Sequence, residues 1–300
     1  MVTERVTLTD VTLRDGLQEQ PSVVPTAGKA EIARLLAAAG FGALEVTSFV
    51  RAEWVPQLAD AEELVAALAE LRGVRRRVLV PNRRGMARAL ATDAEAVSLV
   101  VSASTRHNEA NLNRTTAQSL AELPETVQSA RAAGKAVEGG VATAFGCPFA
   151  GAVEDREVFA VVDAYLDAGV ERVALADTIG AAKPQEFGRR LAQVARRTRG
   201  PERLAIHLHD PGTGVAELVR VALAEGVRHF DVAIGGIGGC PFAPGAPGNA
   251  KAEEVVPVLE QAGFATGIDL QKLPQTALAL GLALGRAPRA PERSTHGVAR

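Results

Sequence analysis

The chain has 300 residues, 47% of them hydrophobic, and a formal net charge of -2. Charges of both signs are scattered without a basic stripe, which argues against a nucleic-acid partner, and no apolar run approaches the roughly 20 residues that a membrane-spanning helix needs. The opening Met1-Val2-Thr3-Glu4-Arg5 has no signal-peptide core or transit segment, and the two cysteines, Cys147 and Cys240, make no disulfide framework, so a cytoplasmic protein with free thiols is expected.

A Val- and Thr-rich run over 5–13 predicts the first strand. Residues 29–39 carry a helical pattern closed by Gly40, and 43–49 read as a second strand. A helix is expected over 58–71, a short strand over 77–80 closed by Pro81, a brief helix over 83–91 and an apolar strand over 96–102. A long helix over 116–133 stops at Gly134, a glycine-softened strand covers 137–145, and a helix over 155–168 stops at Gly169. Next come a strand over 172–176, a helix over 184–197, a strand over 204–210, a helix over 215–225 and a last strand over 229–234. Helical segments over 252–262 and 270–284 close the chain, and the polar, Pro-containing stretch 287–300 is expected to be a disordered tail.

Strand followed by helix, repeated about eight times, is the pattern of a (β/α)₈ TIM barrel. The expectation is a single barrel domain over residues 1–286 with extra C-terminal helices. A doubly wound open sheet is the rival topology. The barrel is preferred because the unusual residues fall at or just after strand C-termini, where barrel active sites assemble. Several strands are near-continuous apolar runs, as parallel strands covered on both faces should be.

In Leu204-Ala205-Ile206-His207-Leu208-His209-Asp210 the two histidines are two apart, so on a strand they project from one face. Two imidazoles on one face either grip a divalent metal, given an oxygen donor from elsewhere, or form a polar stripe. At the other strand ends stand Arg14-Asp15-Gly16, then Glu45, Thr47 and Ser48, and Asp177-Thr178. Charged groups in an apolar core need partners or a metal. A structural ion pair, for example Arg14 with Glu45, is the plainer alternative. Gly235-Gly236-Ile237-Gly238-Gly239-Cys240-Pro241 reads as a mobile loop that carries a thiol over the mouth, or as a tight turn with a buried cysteine. Asn249 can return an amide oxygen to the metal or serve as a turn residue. Cys147 reads as a packed, structural thiol.

The pieces Asp10-Val11-Thr12-Leu13-Arg14-Asp15-Gly16-Leu17-Gln18, Thr47-Ser48-Phe49-Val50 with Trp54-Val55-Pro56-Gln57, Gly146-Cys147-Pro148-Phe149, Asp177-Thr178-Ile179-Gly180, His207-Leu208-His209-Asp210 and Gly236-Ile237-Gly238-Gly239-Cys240-Pro241-Phe242 before Gly248-Asn249 together resemble the 3-hydroxy-3-methylglutaryl-CoA lyase family, within the metal-dependent DRE-TIM lyase superfamily. The Trp-Val-Pro-Gln segment and the Gly-Gly-Cys-Pro loop are characteristic of the lyase branch. The resemblance implies retro-Claisen cleavage of a 3-hydroxyacyl-CoA to acetyl-CoA and acetoacetate, or the matching 3-oxoacid. It implies that Asp15, His207, His209 and Asn249 hold Mg²⁺ or Mn²⁺. Arg14 then stabilises the thioester enolate, Cys240 returns its proton, and Glu45, Asp177 and Gln18 support Arg14 and the proton path. Arg14, Ser48 and Arg51 are the implied substrate contacts. An acyl-CoA substrate, a homodimer and a part in leucine degradation are implied too.

The chain departs from the lyase pattern at several points. Leu13 stands where Pro is usual, Glu19-Gln20-Pro21 where a lysine is usual, Arg51-Ala52-Glu53 where a Ser-Pro-Lys-type sequence is common, and Pro211-Gly212-Thr213-Gly214 after His209-Asp210. Arg51, with Arg83, Arg106 or Arg114, can make up the lost lysines. These changes bear on the acyl group rather than the chemistry. A Claisen-condensing synthase or aldolase is the first alternative, and a non-catalytic acyl-CoA-binding barrel the second.

Overall fold

The computed structural model describes residues 4–212, 214–239 and 247–286. In chain order the strands are β1 (Thr7–Asp10), β2 (Ala43–Ser48), β3 (Arg75–Val80), β4 (Ala96–Ser102), β5 (Ala136–Ala142), β6 (Arg172–Asp177), β7 (Leu204–Asp210), β8 (His229–Val232) and β9 (Gly248–Asn249). The helices are α1 (Thr26–Ala38), α2 (Ala61–Ala67), α3 (Arg83–Leu90), α4 (Thr105–Leu112), α5 (Thr116–Ala132), α6 (Asp155–Ala168), α7 (Pro184–Thr198), α8 (Ala216–Ala224), α9 (Ala252–Gln261) and α10 (Leu273–Ala283). Each strand from β1 to β7 pairs in parallel with the next, and β8 pairs in parallel with β1. The sheet closes on itself as the expected (β/α)₈ barrel, and the open-sheet alternative falls.

Strand alternation sorts side chains onto two faces. One parity, with Val46, Val78, Val97, Val137, Val173, Ile206 and Phe230, is buried against the helix layer, at about 1.5–3 kcal/mol per large apolar side chain. Gly139 belongs to this parity. A Cβ there would come within 2.6 Å of the Tyr165 ring, whose hydroxyl donates to the Leu99 and Gly140 carbonyls at 3.1 and 3.2 Å. That packing is why β5 is soft with glycine. The opposite parity faces the lumen and carries Glu45, Arg77, Ser98, Glu138 and Asp231, all buried.

Four elements differ most from expectation, the short β9 paired with β7 among them. The first strand stops at Asp10, because the Asp10 carboxylate accepts the Thr12 N–H at 2.9 Å and its hydroxyl at 3.0 Å. That turn leads into one π-type turn over Thr12–Gly16. The segment expected as one helix over 58–71 is split into a 3₁₀ turn at Pro56–Leu58 and α2. Helix α4 was not expected. Its sequence has no apolar stripe, and the Ser104 side chain starts it by accepting the His107 N–H. Among the described residues no helix is long and apolar enough to cross a membrane. The stretch 287–300 lies outside the described residues.

Candidate functional site

The C-terminal ends of the barrel strands form the site. On β7, His207 and His209 point to the lumen side, as their spacing requires, and their Nε2 atoms lie 3.1 Å apart. Asp15, on the turn after β1, places Oδ2 3.8 Å from each of those nitrogens. These ligand atoms all lie within 4.8 Å of one another and all three residues are buried. Donors bound at about 2.1 Å in neighbouring positions around one cation sit about 3 Å apart, so the cluster has the scale of a single ion.

The far side of each imidazole supports this reading. His207 Nδ1 faces Asp231 Oδ2 at 3.2 Å, and His209 Nδ1 faces the Pro247 carbonyl at 2.9 Å. A ring that donates Nδ1–H to such an acceptor turns a bare Nε2 toward the cluster, as metal-binding histidines do. Burial, with His207 beside it, lowers the pKa of His209. At His207 burial acts the same way, but Asp231 and Asp15 outweigh it and raise the pKa. Burial also works against the charge on Asp15, yet Arg14 and both histidines hold its carboxyl below the usual range.

Asn249 joins the cluster through β9, which pairs antiparallel with β7 so that Asn249 stands opposite His209. Its Nδ2 donates to Asp15 Oδ2 at 2.8 Å and to the Ile237 carbonyl at 2.9 Å. Its Oδ1 is buried without a hydrogen-bond partner. An orphaned oxygen beside two imidazoles and a carboxylate suits a divalent cation.

Arg14 donates through Nε to Glu45 and through Nη1 to Asp15. The plain ion pair with Glu45 therefore exists, and it also aims the guanidinium across the mouth. Gln18 Nε2 donates to Asp15 Oδ1 at 2.9 Å. Ser48, at the end of β2, is buried with an unpartnered hydroxyl, as is Thr47. Asp177 ends β6, and its carboxylate accepts the N–H groups of Ala181 and Ala182, each at 2.9 Å. Among the described hydrogen bonds it makes none with Arg14, which Glu45 and Asp15 hold instead. Asp177 shapes the loop beside His207, and burial raises its pKa.

Arg51 stands apart from the cluster. It is exposed and stacks on exposed Trp54, 5.3 Å from the ring centroid. Arg83 and Arg114 are paired with Glu125 and Glu122 on α5, and Arg106 donates to the Phe149 carbonyl. Cys147 is buried; its thiol donates to Ser104 Oγ at 3.1 Å while its sulfur accepts the N–H groups of Phe149 and Ala150. Those contacts make it part of a turn. Cys240 lies outside the described residues. The first part of its loop is anchored: at Gly238, with φ at +124°, a Cβ would fall 2.3 Å from Asn249 Nδ2, so only glycine lets the backbone pass this close to the ligand set.

Sequence reasoning missed Ser98, Glu138, Asp231 and the lumen role of Arg77. The available signal was a charge or hydroxyl at the lumen parity of otherwise apolar strands.

The HMGL-like family model matches residues 5–279. A hydroxymethylglutaryl-CoA lyase of Bacillus subtilis is 36% identical over 275 residues, covering 91% of this chain and 91% of that protein. An (R)-citramalyl-CoA lyase of Chloroflexus aurantiacus is 39% identical over 295 residues, covering 94% of this chain and 92% of that protein. Among solved structures, an HMG-CoA lyase of Acinetobacter baumannii in complex with coenzyme A and 3-methylmalate is 38% identical with a TM-score of 0.90, covering 99% of this chain and 98% of its own.

Proposed function

The chain belongs to the HMGL-like family, and from that membership we propose that residues 1–286 form one lyase domain that cleaves 3-hydroxy-3-methylglutaryl-CoA, or a close 3-hydroxy-3-alkylglutaryl-CoA analogue, to acetyl-CoA and a 3-oxoacid. The observation that carries the reading is the buried Asp15–His207–His209 cluster with Arg14 hydrogen-bonded to its carboxylate.

The reaction breaks the bond between C2 and C3. The tertiary hydroxyl passes its proton to solvent at the mouth and becomes a ketone, and the electron pair of the broken bond passes to the thioester as an enolate. Asp15, His207, His209 and Asn249 would hold Mg²⁺ or Mn²⁺, which would supply Lewis acidity toward the substrate hydroxyl. Arg14 donates hydrogen bonds toward the thioester oxygen, where negative charge grows. Glu45 fixes the guanidinium and Gln18 fixes Asp15. Ser48 offers its unpartnered hydroxyl to the substrate. Arg51 meets the coenzyme or the acyl carboxylate at the rim, and Asp177 supports the proton path from beside His207. Cys240 gives C2 its proton, completing acetyl-CoA. A cytoplasmic homodimer and a part in leucine degradation belong to the same reading.

The test is acetyl-CoA release from a panel of 3-hydroxy-3-alkylglutaryl-CoA thioesters with Mg²⁺ and a thiol reductant present. The expected result is turnover that a chelator abolishes and Mg²⁺ restores. No release from any panel member by folded, metal-loaded protein overturns the proposal. The Chloroflexus aurantiacus relative favours adding citramalyl-CoA, whose cleavage breaks the same kind of bond, as a second reading.

The two thiols should separate cleanly. Cys240→Ala is expected to lower kcat about a hundredfold while metal content and melting temperature stay near wild type. Cys147→Ala, which removes only turn contacts, should keep kcat within a few-fold. Full activity in the Cys240 variant would end the proton-donor assignment.

A further inference from the structure

TIM-barrel lumens are ordinarily filled by layers of branched apolar side chains. Here β3 contributes an arginine instead. Arg77 is buried and fans its guanidinium over carboxylates from three other strands. Nη1 donates to Glu138 Oε2 at 2.8 Å, Nη2 donates to Asp231 Oδ2 at 3.0 Å, and Nε lies 3.0 Å from Glu45 Oε1, an ion pair without hydrogen-bond alignment. Two of these carboxylates reach the mouth. Asp231 shares that same Oδ2 with His207 Nδ1, and Glu45 gives its other oxygen to Arg14. An arginine can serve separate acceptors because its donors are fixed in a planar fork.

We propose that Arg77 is a positioning residue: this one guanidinium sets the Asp231 carboxylate behind His207 and the Glu45 carboxylate behind Arg14, so that the metal ligand and the enolate-stabilising cation keep a fixed relation across the lumen. The proposal rests on the lyase reading for the role of Arg14 and on the ligand set for that of His207. Arg77 touches neither metal nor substrate and acts only through the two carboxylates. The competing account is that Arg77 merely neutralises the lumen acids. The two accounts differ in what a lysine would do. Lysine keeps the positive charge on a single point and cannot span the carboxylates.

The experiment compares Arg77→Lys and Arg77→Met with wild type by Mn²⁺ titration calorimetry, by separate kcat and KM with the best thioester of the panel, and by thermal melting. Positioning predicts that Arg77→Lys loses about tenfold or more in Mn²⁺ affinity and in kcat, with KM changed less than threefold. Arg77→Met should lose more of both; should it fail to fold, the lysine variant decides alone. Arg77→Lys with Mn²⁺ affinity and kcat both within twofold of wild type overturns the proposal, whatever its melting temperature. A fall in kcat with unchanged Mn²⁺ affinity also overturns it, because the link through Asp231 to His207 would be absent. Wild-type protein that binds Mn²⁺ but cleaves no thioester refutes the lyase reading instead, and the calorimetric comparison still judges Arg77.

Discussion

His209→Ala should strip the protein of its divalent ion. His209 is the most enclosed of the proposed ligands on β7, with its Nδ1 facing the Pro247 carbonyl and its Nε2 facing His207 and Asp15. Losing only a partner behind a metal ligand typically costs 10–100-fold in affinity, so losing the ligand itself should exceed that range. Alanine leaves a small pocket without a stranded charge, because Asp15 keeps Arg14, Gln18 and Asn249. The metal-free variant should therefore melt within a few degrees of metal-free wild type. Metal analysis after dialysis, with titration of Mn²⁺, reads the result. Wild-type stoichiometry and affinity in the variant would refute the ligand assignment.

Arg14→Gln should lower kcat by about 10²–10³, the range for removing a donor aimed at developing negative charge. KM should move little, since the lost interaction belongs to the transition state. The fold should survive, because Glu45 retains Ser98 at 2.6 Å and Arg77 at 3.0 Å and so is not left as a buried, unpaired charge. Mn²⁺ affinity should hold or rise, because the neighbouring cation no longer competes for Asp15. Steady-state kinetics with parallel metal titration separates the two effects. A kcat within tenfold of wild type would remove Arg14 from the chemistry.

How much was legible depended on whether a signal was local. β4, α6 and β7 run over 96–102, 155–168 and 204–210 as expected, because each is a clear apolar pattern with a sharp stop. The histidine pair was readable from spacing alone, since strand parity turns a separation of two into a shared face. Asn249 was ambiguous from sequence, for its place depends on a two-residue antiparallel pairing with β7 that no periodicity announces. Helix α4 was missed because Thr105–Leu112 is held by a cap rather than by an apolar face. The lumen charges were missed for a different reason. Arg77 and Asp231 are 154 residues apart, and nothing near either one names its partner.

The charged lumen has a consequence for how this barrel can evolve. Removing the charge of Arg77, Glu138 or Asp231 singly unbalances this cluster in the interior, at up to about 3–5 kcal/mol, a large share of the 5–15 kcal/mol that separates folded from unfolded protein. Such steps are costly unless a second change arrives with the first. Across related barrels these three positions should therefore vary as a set, with a guanidinium free to migrate from one strand to another so long as an opposing carboxylate migrates to meet it.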